Sequence, residues 1–302
     1  MPELPEVETI ARGVDERVRG DCIVEAWFSL HPQPFKTPPA LQTQGLVGCA
    51  ILAVHRTGKH IVFELGGRVR QRHGMPFPPL PAKGAVKDGA PAILNPATAP
   101  KAQWIVHLGM TGRLLVTTQE TPLARHTHAR LALASGRELR FVDPRRFGRL
   151  EFRRLGTEAA FRAPGLDPLQ INAVEFAALF RRRRLPIKAA LLNQTLLAGV
   201  GNIYADESLF RAGIRPLRRT NRIAVAEYGR LRAALAEVLR HAIRLGGSSV
   251  SDYVGADGEP GFFQLRHGVY QRTGEPCRKC GTPIRRILVA GRGTHYCPNC
   301  QQ

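Results

Sequence analysis

Apolar residues recur at three- and four-residue spacing from the first positions of the chain. Val7, Ile10, Val14 and Val18 fall on one face, which predicts a helix from about Pro5 to Arg19 that Gly20 can end. The period then changes. Short apolar or alternating runs at 23–28, 51–56, 60–65, 104–108, 113–116, 128–133, 138–142 and 148–152 are parted by Gly, Pro or polar turns and predict strands. Many short strands at this spacing predict a β-sandwich or barrel. The stretch 67–103 interrupts the series with Pro76, Pro78, Pro79, Pro81, Pro91, Pro96 and Pro100, shows no periodicity, and is expected to be a long mobile insertion. From about Asn172 the pattern turns helical, through Val174, Ala177, Ala178 and Leu179, then 189–197, 203–212 and a long helix over 225–245. The second half is therefore a different domain, and the whole chain reads as an α+β multidomain protein.

Composition narrows the partners. The 302 residues are 43% hydrophobic, enough for two ordinary cores, and 44 Lys+Arg against 24 Asp+Glu leave a formal charge of +20. A polyanion is the expected partner. Neither a long apolar span nor a basic amphipathic anchor is present, so no membrane partner is expected. Acids at positions 3, 6 and 8 stand where a signal peptide would carry positive and apolar residues. A cytoplasmic protein at the nucleoid is the expectation.

Four of the six cysteines form the pairs Cys277-x-x-Cys280 and Cys297-x-x-Cys300, a spacing that suits four thiolates around one Zn²⁺ at the base of a β-hairpin. A dithiol redox pair is the alternative, but neither pair has the βαβ context of that motif. With four sulfur ligands the ion is coordinatively closed, so the zinc is expected to be structural. Arg285, Arg286 and Arg292 lie between the pairs and can carry positive charge onto a nucleic acid. Cys22 and Cys49 are expected in the core.

The first residues hold candidate chemistry. Removal of Met1 would leave Pro2 as a free secondary amine with Glu3 beside it, a nucleophile next to a candidate general acid. A secondary amine that forms an iminium with a sugar C1′ keeps no N–H proton to lose, so the adduct stays cationic and can draw electrons through eliminations. On two residues alone, a proline and acids that merely start a helix is the more economical reading. Further along, Gly199-Val200-Gly201-Asn202 joins two predicted helices by a tight turn that can aim backbone N–H groups at a phosphate, or can be a plain αα-hairpin. Arg181–Arg184 and Lys188 stand beside it.

Five motifs in order resemble one family. Pro2-Glu3-Leu4-Pro5-Glu6-Val7-Glu8-Thr9, His107-Leu108-Gly109-Met110, Asp143-Pro144-Arg145-Arg146-Phe147-Gly148, Gly199-Val200-Gly201-Asn202-Ile203-Tyr204-Ala205 and the four-cysteine segment are similar to bacterial formamidopyrimidine-DNA glycosylases, which are 8-oxoguanine DNA glycosylases/AP lyases. The resemblance covers the chain except about 67–103. It implies an N-terminal catalytic β-sandwich with flanking helices (1–155), a helix–two-turn–helix domain (156–265) and a zinc-finger β-hairpin (266–302), with damaged duplex DNA in the cleft between domains.

Carried over residue by residue, the resemblance implies that Pro2 attacks C1′ and Glu3 is the acid that helps open the sugar, with Glu6 supporting them. Lys59 matches the lysine that donates a proton in β-elimination, and Arg292 the zinc-finger arginine of δ-elimination. Met110, Arg145 and Phe147 match the wedge that fills the space left by an extruded nucleotide. His126, Arg183, Lys188 and Asn202 match contacts to the DNA backbone, Tyr270 belongs to the same neighbourhood, and Gly246–Phe263 resembles a loop that closes over the lesion. The chain departs from the family in the 67–103 insertion, in arginines instead of lysines at 181–184, and in Thr111, where some members carry an acid. Two rival readings are an endonuclease VIII-like glycosylase for oxidised pyrimidines and a non-catalytic zinc-containing DNA-binding protein. A monomer suits a protein that scans duplexes.

Overall fold

The computed structural model describes residues 1–31, 34–68, 99–249, 255–256 and 259–302. Most of the expected 67–103 insertion therefore lies outside the described residues, as does part of the Gly246–Phe263 loop. The ends of the insertion are strand: β3 (His60–Arg68) runs into it and β4 (Ala102–His107) emerges from it.

Two four-stranded antiparallel sheets form the N-terminal half. One has the order β2 (Cys49–Thr57), β3, β4, β8 (Arg149–Arg154), and the other β1 (Ile23–Phe28), β6 (Thr127–Leu133), β7 (Arg137–Val142), β5 (Arg113–Thr118). All eight strands coincide with expected runs. Inward residues from both sheets, among them Ile51, Phe63, Trp104, Leu131 and Phe141, share one core with the apolar face of helix α1 (Leu4–Val18), where Val7, Ile10, Val14 and Val18 are almost completely buried. That shared core makes the unit a sandwich with a helix packed on it. Cys49 is buried in that core and Cys22 is also buried, in a β-bridge with Ala50.

A short helix α2 (Pro39–Leu46) was not expected, because its sequence has no helical apolar stripe. Its buried polar residue explains this: the carbonyl oxygen of Gln42 accepts the indole N–H of Trp104 at 2.9 Å, so a core contact is made by an amide.

The second core belongs to helices α3 (Ala173–Phe180), α4 (Ile187–Leu192), α5 (Asn202–Ala212) and α6 (Val225–Arg244). The helix expected over 189–197 stops at Leu192. Asn193 Oδ1 accepts the N–H of Thr195 at 2.9 Å, and this local turn competes with another helical turn. Leu4 of α1 packs in this second core rather than in the sandwich. The two halves also meet where the Val116 N–H of β5 donates to the Ala256 carbonyl at 3.1 Å.

The C-terminal hairpin pairs β9 (Arg285–Val289) with β10 (Arg292–Tyr296). Ala290 and Gly291 form its two-residue turn with positive φ angles of 49° and 72°, the pattern of a type I′ hairpin. The cluster it packs in is small, with Phe210 of α5 against Val269, Ile284, Cys277 and Cys297.

Candidate active site

The chain terminus is held between the two cores. Glu3 caps α1, and its N–H donates to Glu6 Oε2 at 2.8 Å. The next N–H, of Leu4, donates to the Gly199 carbonyl at 3.0 Å, while Ile203 at the start of α5 donates its N–H to Glu3 Oε1 at 3.2 Å. The Glu3 carboxylate thus sits at the N-terminus of α5, where oriented backbone N–H groups favour negative charge. The glycine turn makes this approach possible. Gly199 has φ of +100°, and a Cβ on Gly201 would stand 2.1 Å from Glu3 Cδ. Gly201→Ala should displace Glu3, and in the acid role that the resemblance implies for Glu3 a shift near 1 Å would cost about a hundredfold in rate. Single-turnover cleavage of a damaged oligonucleotide measures it, and wild-type kinetics would show that Glu3 has room to spare.

Burial pushes the Glu3 carboxyl up to about 7; the Lys59 ammonium opposes this, the Glu6 charge adds to it, and N–H groups of Ile203 and Tyr204 oppose it. Burial also raises Glu6, against hydrogen bonds from the Tyr204 hydroxyl and the Ser248 N–H. Lys59 is shifted down, first by burial and then by Arg292, with Glu3 pulling the other way. Lys59 stands in the two-residue turn between β2 and β3, after Gly58 at φ +64°. Arg56 steadies that turn: it donates to the Gly58 carbonyl at 3.3 Å and pairs with Glu8 at 2.8 Å and Asp167 at 2.5 Å. Glu3 and Lys59, both of displaced proton affinity, line one cavity with Glu6 hydrogen-bonded behind Glu3, an arrangement suited to acid–base chemistry.

A cavity of about 360 Å³ gathers Glu3, Lys59, Met110, Asn202, Tyr270 and Arg292. Met1 also lines it, and Pro2 is buried beneath Met1. A larger groove of about 500 Å³ runs along α1, but the Arg56 ion pairs line it and none of the expected site residues do.

The wedge residues are not core. Met110 and Phe147 are 41% and 48% exposed, and the Arg145 guanidinium lies over the Phe147 ring, 5.0 Å from its centroid. Asp143 holds their two loops together: it accepts the Thr111 hydroxyl at 2.7 Å, the Gly148 N–H at 2.7 Å and the Arg145 N–H at 3.3 Å. Thr111 is thus committed to its own scaffold. His126 is exposed with φ of 66°, and its carbonyl accepts the Asp143 N–H at 3.0 Å. Arg183 is exposed, away from the cavity lining, and its Nε donates to the Leu179 carbonyl at 3.0 Å.

Lys188 contradicts its expected place on the DNA backbone. Its side chain is completely buried and paired with Asp206 at 2.7 Å, because α4 turns it inward against the zinc hairpin. An ammonium spent on internal acceptors is not a surface phosphate contact. Asn202 Nδ2 donates to the Gly293 carbonyl at 3.0 Å, and the Tyr270 N–H donates to Glu207 Oε1 at 2.8 Å.

Sequence reasoning passed over Tyr204, Glu207, Ser248 and Asp206. Glu207 accepts the N–H groups of Gly268, Val269 and Tyr270, and the Tyr204 hydroxyl donates to Glu6. A carboxylate inside an otherwise apolar helix was the available signal, since Asp206 and Glu207 are both buried in α5.

The four cysteine sulfurs lie within 4.8 Å of one another, with Cys277···Cys300 at 3.9 Å and Cys280···Cys297 at 3.5 Å. Tetrahedral zinc at about 2.3 Å from each sulfur requires S···S separations of about 3.8 Å, so the cage fits the ion. The N–H groups of Lys279 and Cys300 point at Cys277 and Cys297 sulfurs, each at 3.4 Å, which stabilises thiolates. These residues can hold one structural Zn²⁺.

Three family models match the chain: the formamidopyrimidine-DNA glycosylase N-terminal domain over 1–150, the H2TH domain of the same enzymes over 164–254, and a zinc finger found in FPG and IleRS over 274–302. A formamidopyrimidine-DNA glycosylase of Solibacter usitatus is 43% identical over 302 residues, and one of Dechloromonas aromatica 39% over 308, each alignment covering all of both chains. A Lactococcus lactis FPG mutant in complex with Fapy-dG-containing DNA superposes with a TM-score of 0.81 at 32% identity, covering all of both chains. The Thermus thermophilus FPG protein superposes at 0.77 with 40% identity, over 99% of this chain and 98% of its own.

Proposed function

This chain belongs to the formamidopyrimidine-DNA glycosylase family, and from that premise we propose that its terminal cavity is the catalytic centre, with Pro2 as nucleophile. The protein is a DNA glycosylase and AP lyase of base excision repair that acts on oxidised purines and binds damaged DNA. The single observation that carries the site assignment is the cavity itself, which brings the buried Glu3 carboxyl, Lys59 and Arg292 to the chain terminus.

After Met1 is removed, the Pro2 nitrogen lone pair attacks C1′ and the glycosidic bond breaks, its electrons leaving with the base while the Pro2 N–H proton passes to solvent. Protonated Glu3 supplies the proton that lets the deoxyribose ring open, which leaves an iminium between Pro2 and C1′. Loss of a C2′ proton then expels the 3′ phosphate, and Lys59 supplies the proton exchanged in this β-elimination. A second proton loss expels the 5′ phosphate in δ-elimination, where the Arg292 guanidinium stabilises the departing charge. Glu6 holds the Glu3 backbone. Met110, Arg145 and Phe147 fill the vacated stack, while His126, Arg183, Asn202 and Tyr270 meet the backbone of the duplex. The zinc hairpin carries Arg292. A monomer that scans duplexes, acting at the nucleoid, is the working unit of this reading. Among the described residues, no helix is long and apolar enough to cross a membrane.

Productive enzyme needs a neutral amine together with a protonated Glu3, so excision of 8-oxoguanine declines on the alkaline side as the carboxyl, displaced to about 7, loses its proton. Glu3→Gln should remove that alkaline decline and lower the single-turnover rate by about 10²–10⁴-fold. Equal rates and the same alkaline limb in both proteins would take the acid role from Glu3.

A further inference from the structure

Lys188 on α4 and Asp206 on α5 are both wholly buried. An ion pair so placed adds little net stability, since desolvation consumes most of its Coulombic gain and an apolar pair of similar volume packs as well. Its geometry is more informative. The ammonium is ion-paired with Asp206 Oδ1 at 2.7 Å and donates to the Gly293 carbonyl at 3.0 Å and the Thr294 hydroxyl at 2.8 Å. Asp206 Oδ2 accepts the His295 N–H at 2.8 Å and faces its Nδ1 at 3.3 Å. The Asn202 amide adds a second donor to the Gly293 carbonyl at 3.0 Å. Residues 293, 294 and 295 are therefore each gripped by the helical domain, directly after Arg292 at the start of β10. The four cysteines hold the hairpin only at its base, Cys277 and Cys280 before β9 and Cys297 and Cys300 after β10, and leave its turn end to other contacts.

We infer that Asp206 and Lys188 are positioning residues for Arg292, holding the turn end of the zinc hairpin against α4 and α5 so that the guanidinium stands at the cavity. Through it they set how far the reaction proceeds beyond β-elimination into δ-elimination. This rests on the role given to Arg292 above. The pair acts without touching DNA, which also explains why a lysine beside an arginine run is buried.

The test is the partition between the β product, an unsaturated 3′ aldehyde, and the δ product, a 3′ phosphate, in single turnovers on abasic duplex. Lys188→Met with Asp206→Leu replaces the pair by apolar groups of similar size and should keep one zinc per chain. The δ-to-β rate ratio should fall at least about tenfold, in keeping with the cost of displacing a positioned group. Arg292→Ala should shift the ratio the same way. Asp206→Asn, which removes charge at constant shape, is read by the same criterion and decides the matter if the double variant does not fold. A wild-type ratio in the pair variants, with zinc retained and Arg292→Ala shifted, overturns the positioning role and leaves the Arg292 role intact. A wild-type ratio in Arg292→Ala overturns both.

Discussion

Protein that retains Met1 should give no borohydride-trapped adduct with abasic duplex DNA, while processed protein should be captured covalently. In the unprocessed chain the Pro2 nitrogen is part of a peptide bond, so its lone pair is delocalised into the carbonyl and cannot attack C1′. Met1 also lines the cavity and Pro2 is buried, so on the proposed mechanism the unprocessed terminus would stand in the way of the sugar. Removing a covalent nucleophile outright costs on the order of 10⁶-fold where it has been measured in other enzymes. Pro2→Gly, processed, retains a terminal amine and should trap more slowly, because its primary imine can lose a proton and its charge. N-terminal mass analysis identifies the species in each reaction. Full capture by protein with Met1 intact would move the nucleophile elsewhere.

Stripping the zinc should abolish incision and weaken duplex binding by more than about a hundredfold, with the N-terminal sandwich still folded. A structural Zn²⁺ site contributes about 10–16 kcal/mol to folding in isolated zinc-finger peptides. The hairpin here has only a handful of apolar residues to set against that loss. Its collapse would release Arg292 from the cavity and free Gly293 from Lys188 and Asn202. Chelation followed by filter binding and far-ultraviolet circular dichroism reads both effects, and added Zn²⁺ should restore incision. Metal-free protein that binds and cuts normally would show the hairpin to be self-sufficient.

The strands and the long helices were legible because burial of one face imposes a period on the sequence, and that period does not depend on what lies opposite. The zinc cage was legible for a related reason: tetrahedral thiolate geometry demands two close pairs of cysteines. Where those rules lapse, reading along the chain went astray. Helix α2 buries Gln42 through a partner 62 positions away in sequence. Lys188 resembles a solvated cation until Asp206, Gly293 and Thr294 are seen around it.

The amino-acid sequence alone determined the periodic elements, the excess of positive charge, the metal cage and the candidate nucleophile, since each is a property of local order or composition. Tertiary structure alone decided how the terminus becomes a site. Glu3 is displaced to about 7 because it is buried, in a place where the start of α5, 200 residues later, comes against it through Gly201. Asp206 and Glu207 accept backbone N–H groups from segments 61 to 89 residues further on. Desolvation and hydrogen-bond partnership depend on what surrounds a group in space, and chain order does not encode that directly.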